Sequence, residues 1–167
     1  IHCLGTRSFS IFNTSTKQIV FDSGDDFERY TAANLPTLFN ADHENNTPKG
    51  RSRAKGPEPE GVTIAQIATE TFAFVSLERV GGVIVYNITN PNNPVFEDYK
   101  NSRSTSAYSG DHGPEGITYI APANSATAKG YVLVANEISG TITIYEVDEN
   151  TLSSSDFNSE PKTFVIF

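Results

Sequence analysis

Two segments of the chain repeat each other, and this repeat limits the possible folds more than any other feature of the sequence. In each segment a Pro-Glu-Gly turn leads into a short β-type stretch, and two further β-rich stretches follow. Pro-Glu-Gly at 59–61 aligns with the same tripeptide at 114–116, and Glu78 aligns with Glu137. The offset is 55 residues at the turn and 59 at the second Glu, so the extra residues fall in the loop 121–129.

The spacing of these stretches predicts an all-β fold. Residues 95–99 offer the first segment a fourth strand, and four antiparallel strands at this period are typical of one blade of a β-propeller. We predict about two and a half four-stranded antiparallel blades with one short helix. The predicted units are the end of a preceding blade (1–25), the helix with a polar surface loop (26–55), two blades (56–110 and 111–150) and a tail with a closing strand (151–167). A compact β-sandwich of seven or eight strands is the alternative.

The segment between the first strands and the first repeat has a different character. Asp25 and Glu28 have the spacing of a capping box, which predicts the start of a short helix. The loop that follows has basic residues at alternating positions, Lys49, Arg51, Arg53 and Lys55. Solvated loop charge is the expected role of these residues, and binding of a phosphate or an acidic glycan is the alternative.

Charge and length limit the partners of the chain. The net charge is −8 and the pI is about 4.8, which argues against nucleic acid as a partner. No apolar run approaches the roughly 20 residues of a membrane span.

The chain begins with Ile1 and has no Met, so we expect a processed or partial chain. Fewer blades than a closed propeller needs would leave unpaired strand edges, and the expected partners are other blades or neighbouring copies, as a homo-oligomer or a filament.

Four glutamates recur in register in the two repeats, and they are the strongest functional signal. Glu60 and Glu115 occupy equivalent turns, and Glu78 and Glu137 occupy equivalent strand ends. Carboxylates that converge on one face repel one another unless a cation lies between them, and hard oxygen ligands suit Ca²⁺ or Mg²⁺. The sequence therefore predicts a divalent cation, Ca²⁺ first, bound by these four residues. Alternatively, a Glu after Pro accepts hydrogen bonds from the backbone of its own turn.

Two residues are candidates for catalysis, and three for glycosylation. Arg79 follows one of the repeated glutamates, and His112 lies close to another, so a metal-dependent phosphoesterase assisted by these two residues is the alternative function. No sequence motif of a nucleophilic or nucleotide-binding enzyme accompanies them. The sequons Asn13-Thr14-Ser15, Asn45-Asn46-Thr47 and Asn87-Ile88-Thr89 are acceptor sites for N-glycans if the protein is secreted by a eukaryote.

Several segments together carry a family resemblance. These are LGTRSFSIFN (4–13), FDSGDDFERYTAANLPTLFN (21–40), KGPEPEGV (55–62), FVSLERVGGVIVYNITNPNNPVF (74–96), GPEGI (113–117) and VANEISGTITIYEV (134–147). In combination they resemble the choice-of-anchor I family, over about residues 4 to 147. That family contains extracellular β-propeller proteins, among them alkaline-phosphatase-like members and mesenchyme-specific cell-surface glycoproteins.

The resemblance implies a fold and a location. It implies the C-terminal part of a propeller that is secreted or anchored at the cell surface, and the four repeated glutamates match the family pattern. Two features depart from that pattern. His112 stands where an apolar residue is expected, and the stretch before Lys55 is basic where an acidic one is expected. An acidic cation site therefore does not carry over onto residues 42–55.

Overall fold

The computed structural model describes residues 6–147 and, for the backbone alone, residues 162–165. Its strands are β1 (Ser10–Asn13), β2 (Gln18–Asp22), β3 (Pro59–Ile67), β4 (Glu70–Leu77), β5 (Val83–Asn87), β6 (Val95–Lys100), β7 (Pro114–Ile120), β8 (Gly130–Asn136), β9 (Thr141–Val147) and β10 (Lys162–Val165). The helix α1 is Asp26–Asn34, and a 3₁₀ turn covers Pro122–Asn124 in the predicted insertion loop.

The strands form three antiparallel sheets, and the predicted all-β class is confirmed. Strands β1 and β2 form a hairpin, while sheet 1 has the order β3-β4-β5-β6 and sheet 2 the order β7-β8-β9-β10. Each four-stranded sheet is therefore a simple up-and-down meander. The two sheets also share their register: Phe74 pairs with Val85 in sheet 1, and the repeat-equivalent Leu133 pairs with Ile144 in sheet 2.

Apolar side chains between the two four-stranded sheets form the first core cluster. One face of sheet 1 packs on one face of sheet 2. Only every second residue of each strand points into this contact, because successive side chains of a strand point to opposite faces. Sheet 1 contributes Ala65, Ile67, Phe72, Phe74, Val83 and Val85, and sheet 2 contributes Val132, Val134, Tyr145 and Val147. Ile117 and Tyr119 on β7 pack against the edge of this cluster.

The other face of sheet 1 is covered by α1 and the β1–β2 hairpin. This second cluster is rich in aromatic rings, and Phe9 meets Tyr86 edge to face with 5.0 Å between the ring centroids. The Tyr86 hydroxyl donates a hydrogen bond of 3.0 Å to Asp26 in the first turn of α1. The helix and the hairpin are thereby held on sheet 1.

The helix forms where the sequence predicts it, but the predicted capping box does not. Asp25 is the residue before the helix and makes no capping hydrogen bond through its side chain. Glu28 instead accepts hydrogen bonds from Arg7 at 2.7 Å and from Asn40 at 2.8 Å. Tertiary partners of Glu28 have replaced the local interaction that its spacing predicted.

The basic loop after α1 is partly tied to the rest of the protein. Arg51 pairs with Asp42 at 3.5 Å, and Lys55 pairs with Glu58. Lys49 and Arg53 are exposed, as expected of solvated loop charge. Among the described residues, no helix has the length and apolar character needed to cross a bilayer.

Candidate functional site

The carboxylates collect at the end of the sheets where β3 and β7 begin. These two strands are the first of each sheet and lie against each other, and they are called the inner strands below. The register of β3 shifts between Pro59 and Val62, and that of β7 shifts between Pro114 and Gly116. Such bulges bend a strand and redirect a side chain. The two repeats therefore place their Pro-Glu-Gly glutamates in the same kind of local irregularity.

The two inner strands approach each other closely at this end. A Cβ atom built on Gly61 would lie 2.6 Å from the main-chain oxygen of Glu115 and 2.7 Å from Oγ of Ser76. Only glycine permits this approach, because real Cβ contacts are longer. The turns that carry Glu60 and Glu115 are neighbours as a result, as the sequence predicts.

Three carboxylates of sheet 1 form the most compact acidic group. Glu58, Glu60 and Glu78 each offer an oxygen, and these oxygens lie within 4.8 Å of one another. Glu60 is exposed, whereas Glu58 is 5% and Glu78 is 6% exposed. The group thus has one side in solvent and two carboxylates inside the protein.

Glu58 is the member of the group whose charge is balanced. Its carboxylate accepts a hydrogen bond from Nε of Arg79 at 2.5 Å and forms an ion pair with Lys55. Burial opposes ionisation of Glu58, but the hydrogen bonds from Lys55 and Arg79 outweigh it and lower its pKa. Glu58 is therefore ionised and paired with two basic side chains.

Glu78 is the member whose charge is least favoured. Burial raises the pKa of Glu78 to about 8, and the hydrogen bond that it shares with Glu60 acts in the same direction, while Arg79 opposes both. One of its oxygens lies 2.9 Å from Nδ1 of His43 and 3.1 Å from Nη2 of Arg79. At neutral pH this carboxyl group therefore retains a proton between itself and Glu60.

Sheet 2 carries the repeat equivalents of Glu60 and Glu78, which are Glu115 and Glu137, and both are exposed. The charge of Glu137 raises the pKa of Glu115, with smaller contributions from burial and from Glu60. An open depression of about 370 Å³ lies beside the pair and is also lined by Asn136 and Thr141. The four glutamates of the repeat therefore act on one another as one acidic region across the two sheets.

The structure adds residues that sequence reasoning missed. His43 and Asp42 lie in the loop after α1 and both contact Arg79, which is 3.3 Å from Oδ1 of Asp42 and in hydrogen-bond contact with the His43 ring. His43 also contacts Glu78 directly. Burial lowers the pKa of His43, and the charge of Arg79 lowers it further. Nothing in the spacing of the repeats indicates these two residues, because they come from outside the repeat.

The two residues considered for catalysis, Arg79 and His112, lie against other side chains. Arg79 binds carboxylates of Glu58, Glu78 and Asp42. His112 is 3% exposed, and its ring centroid lies 4.3 Å from that of Tyr108. Neither residue lines the open depression beside Glu115 and Glu137.

The three sequons differ in their surroundings. Asn13 and Asn45 are exposed. Asn87 is half-buried in β5, and its Nδ2, the atom that would carry a glycan, donates a hydrogen bond of 2.8 Å to Glu70.

Comparison with known proteins gives a family and one curated relative. The model of the choice-of-anchor I domain matches residues 1–91. The chain is 28% identical to Gigasin-3a of Magallana gigas over 177 aligned positions, which cover 95% of the chain and 62% of Gigasin-3a. The chain thus spans about three fifths of the length of that relative, and no solved structure matches it. Because the family model covers more than half of the residues, the chain belongs to the choice-of-anchor I domain family.

Proposed function

We propose that the chain is an extracellular or cell-surface module, part of a β-propeller, which binds a divalent cation through its repeated glutamates and has a structural, matrix or assembly role. The family supports a location outside the cell or at its surface. Two successive four-stranded meanders with matching registers support the propeller.

One observation carries the cation proposal. The oxygens of Glu58, Glu60 and Glu78 lie within 4.8 Å of one another, which is a separation that a single ion can bridge. Carboxylate oxygens are ligands that Ca²⁺ prefers, at about 2.3 to 2.6 Å in flexible geometries. A cation would also replace the proton that Glu78 now holds.

The basic side chains around Glu58, Glu60 and Glu78 determine how much negative charge the group offers to a cation. Lys55 and Arg79 already balance Glu58, so Glu60 and Glu78 supply the charge that remains for a cation. Glu115 adds negative potential from sheet 2 through its interaction with Glu60. Two adjacent basic side chains weaken the site, and we expect a dissociation constant of about 10⁻⁴ to 10⁻³ M, as in extracellular calcium modules.

The test is calorimetric titration of the chain with CaCl₂ and separately with MgCl₂ at pH 7.5. Glu60→Gln and Glu78→Gln are expected to weaken Ca²⁺ binding at least about tenfold, because each removes charge from the remaining pair. Glu115→Gln is expected to weaken it less. Glu146→Gln is the matched control, since Glu146 pairs with Lys129 on the surface of sheet 2.

Two results together contradict the proposal: no heat of binding, and a melting temperature that does not change in 10 mM CaCl₂. This concentration is about ten times the largest dissociation constant expected. Binding that persists unchanged in both sheet 1 variants places the ion elsewhere and contradicts the assigned residues.

A further inference from the structure

His112 is a buried histidine whose ring lacks the hydrogen bonds that such a group normally makes. The residue is 3% exposed, and neither Nδ1 nor Nε2 makes a hydrogen bond of ordinary geometry with another described residue. Buried polar groups without a partner are rare in proteins, because burial removes the water that would otherwise bind them. The backbone of His112 is fixed on sheet 2, since its N–H donates to Oγ of Ser139 at 3.0 Å. The ring is therefore held in place while its nitrogens stay unpaired.

An exposed loop between β6 and β7 closes over the ring. This cover loop consists of residues 104–109, of which 105–109 are exposed. Its two ends meet where the N–H of Ser104 donates to the main-chain oxygen of Ser109 at 2.9 Å. The Tyr108 ring lies on the His112 ring, with 4.3 Å between the centroids, although Tyr108 is itself 52% exposed. A side chain that is half in solvent thus helps to bury the histidine.

Few contacts hold the cover loop on the protein. Nδ2 of Asn46 donates to the main-chain oxygens of Ser104 at 3.1 Å and Ala107 at 2.9 Å. The Tyr108 hydroxyl donates to the main-chain oxygen of His43 at 3.2 Å. None of the loop residues belongs to either described core cluster, and segments with few buried apolar contacts open at a small cost in free energy. The cover loop is therefore able to open while the sheets stay folded.

The surroundings of the ring oppose a proton on it. Burial lowers the pKa of His112, and the charge of Arg103 lowers it further. The main chains of Ser109 and His43 and the charge of Asp111 favour the protonated form, but they do not outweigh burial. The Asp111 carboxylate is already engaged by three hydroxyl groups. A proton on His112 therefore adds a second positive charge beside the buried guanidinium of Arg103.

We propose that His112 is a pH-sensitive latch: uptake of a proton by its ring turns Tyr108 away, opens the cover loop and releases residues 43–46, while the two sheets stay folded. In the open state water surrounds the imidazolium, which then titrates near the ordinary histidine value of about 6.5. Below that pH the open state binds more protons than the closed state, so acid favours opening. The released segment follows Asp42, a partner of Arg79, so the latch links the surrounding pH to the loop beside the acidic region.

The latch needs neither a bound cation nor further blades, so the chain itself is studied in EDTA. Hydrogen exchange of the Ser104 amide is measured by NMR at pH 7.5 and pH 5.5 and corrected for the pH dependence of an unfolded peptide. We expect its protection to fall about fivefold or more, because each pH unit below 6.5 favours the open state by up to about tenfold. Protection in β4 and β8 is expected to change by less than about twofold, since the opening is local.

Two variants assign the proton. His112→Phe has an apolar ring that does not titrate, and the protection of Ser104 is expected to differ by less than about twofold between the two pH values. His43→Gln is the matched control. It removes the other histidine of this region, but Tyr108 binds the main-chain oxygen of His43 rather than its ring, so the fivefold fall is expected to remain. The pH titration of the His112 ring protons needs no variant, and its midpoint is expected below 6.5.

Four results overturn the proposal. The first is the absence of any fall in Ser104 protection in the unaltered chain. The second is a fall that persists in His112→Phe or vanishes in His43→Gln, since the proton would then act elsewhere. The third is a midpoint for His112 at or above 6.5. The fourth is a loss of protection in β4 and β8 equal to that in the cover loop, which would mean that acid unfolds the whole chain.

Discussion

Gly61 lies directly against the main-chain oxygen of Glu115, so the two inner strands touch at the position where each carries its turn glutamate. A Cβ on Gly61 would meet that oxygen at 2.6 Å. The glycine of the turn thereby sets the distance between the acidic groups of the two sheets.

Gly61→Ala is expected to destabilise the protein by about 2 kcal/mol, because a methyl group there forces the inner strands apart. Chemical denaturation measures the loss. The repeat provides its own control, since the Cβ of Gly116→Ala would meet only Cβ of Ala135 at 3.4 Å, an ordinary contact. Equal losses in the two variants would show that the close approach is not what requires glycine at 61.

Arg103→Met is expected to destabilise the protein by about 3 kcal/mol, because it leaves several main-chain oxygens without a donor. The buried guanidinium donates to the carbonyls of Arg79, Asp42 and Asn45, each at 2.7 Å. It therefore joins the loop after α1 to the turn that follows β4. Denaturation midpoints are to be compared with those of the exposed control Arg53→Met, which is expected to change little. A small loss for Arg103→Met would mean that water replaces the guanidinium without penalty.

Asp111→Asn is expected to destabilise sheet 2 by about 2 kcal/mol, because the amide weakens charge-assisted hydrogen bonds to three hydroxyls. The buried carboxylate accepts from Ser102 at 2.5 Å, Thr141 at 2.6 Å and Thr143 at 2.7 Å. Asp25→Asn, at an exposed position, is the control. Hydrogen exchange of the β9 amides is the measurement, and protection equal to that of the unaltered protein would contradict the prediction.

Stability in EDTA is expected to fall as the pH rises from 6.5 to 8.5, by about 2 kcal/mol. Glu78 has a pKa raised to about 8 by burial, so the folded state binds a proton that the unfolded state has released above its ordinary pKa of 4.5. This contribution is fully present below 4.5 and is lost as the pH rises through 8. The window begins at 6.5 because burial lowers the pKa values of His43 and His112, so these two histidines change the stability only below their ordinary pKa of 6.5.

Thermal or chemical unfolding at several pH values measures this dependence. Glu78→Gln is expected to remove most of the slope, and the exposed control Glu44→Gln to retain it. A slope that is equal in all three proteins would contradict the assignment of the retained proton to Glu78.

Most strands were predictable because the repeat gives each pattern twice. Glu78 and Glu137 mark equivalent strand ends, and the turn glutamates mark equivalent strand starts, so the element order followed from the alignment. The capping box was a wrong prediction because Arg7 and Asn40, distant in sequence, compete for Glu28.

The acidic site was predictable only in outline. The repeated glutamates are neighbours as predicted, but the most compact group includes Glu58, which has no glutamate equivalent in the second repeat. The spacing of the glutamates in the sequence also does not indicate which carboxylates are paired with basic side chains. That depends on the ion pairs of Arg79 and Lys55, which only the folded chain brings together.

The insertion in the second repeat has a consequence for how such chains diverge. The 121–129 loop joins β7 to β8 next to the pairing of Ile120 with Tyr131, while Glu115 and Glu137 lie at the opposite end of the same strands, next to the pairing of Pro114 with Asn136. A strand of this length separates the two ends by about 20 Å. Length changes at the loop end therefore leave the acidic end unmoved, so one end of each sheet is free to acquire insertions or fused peptides while the other retains its chemistry.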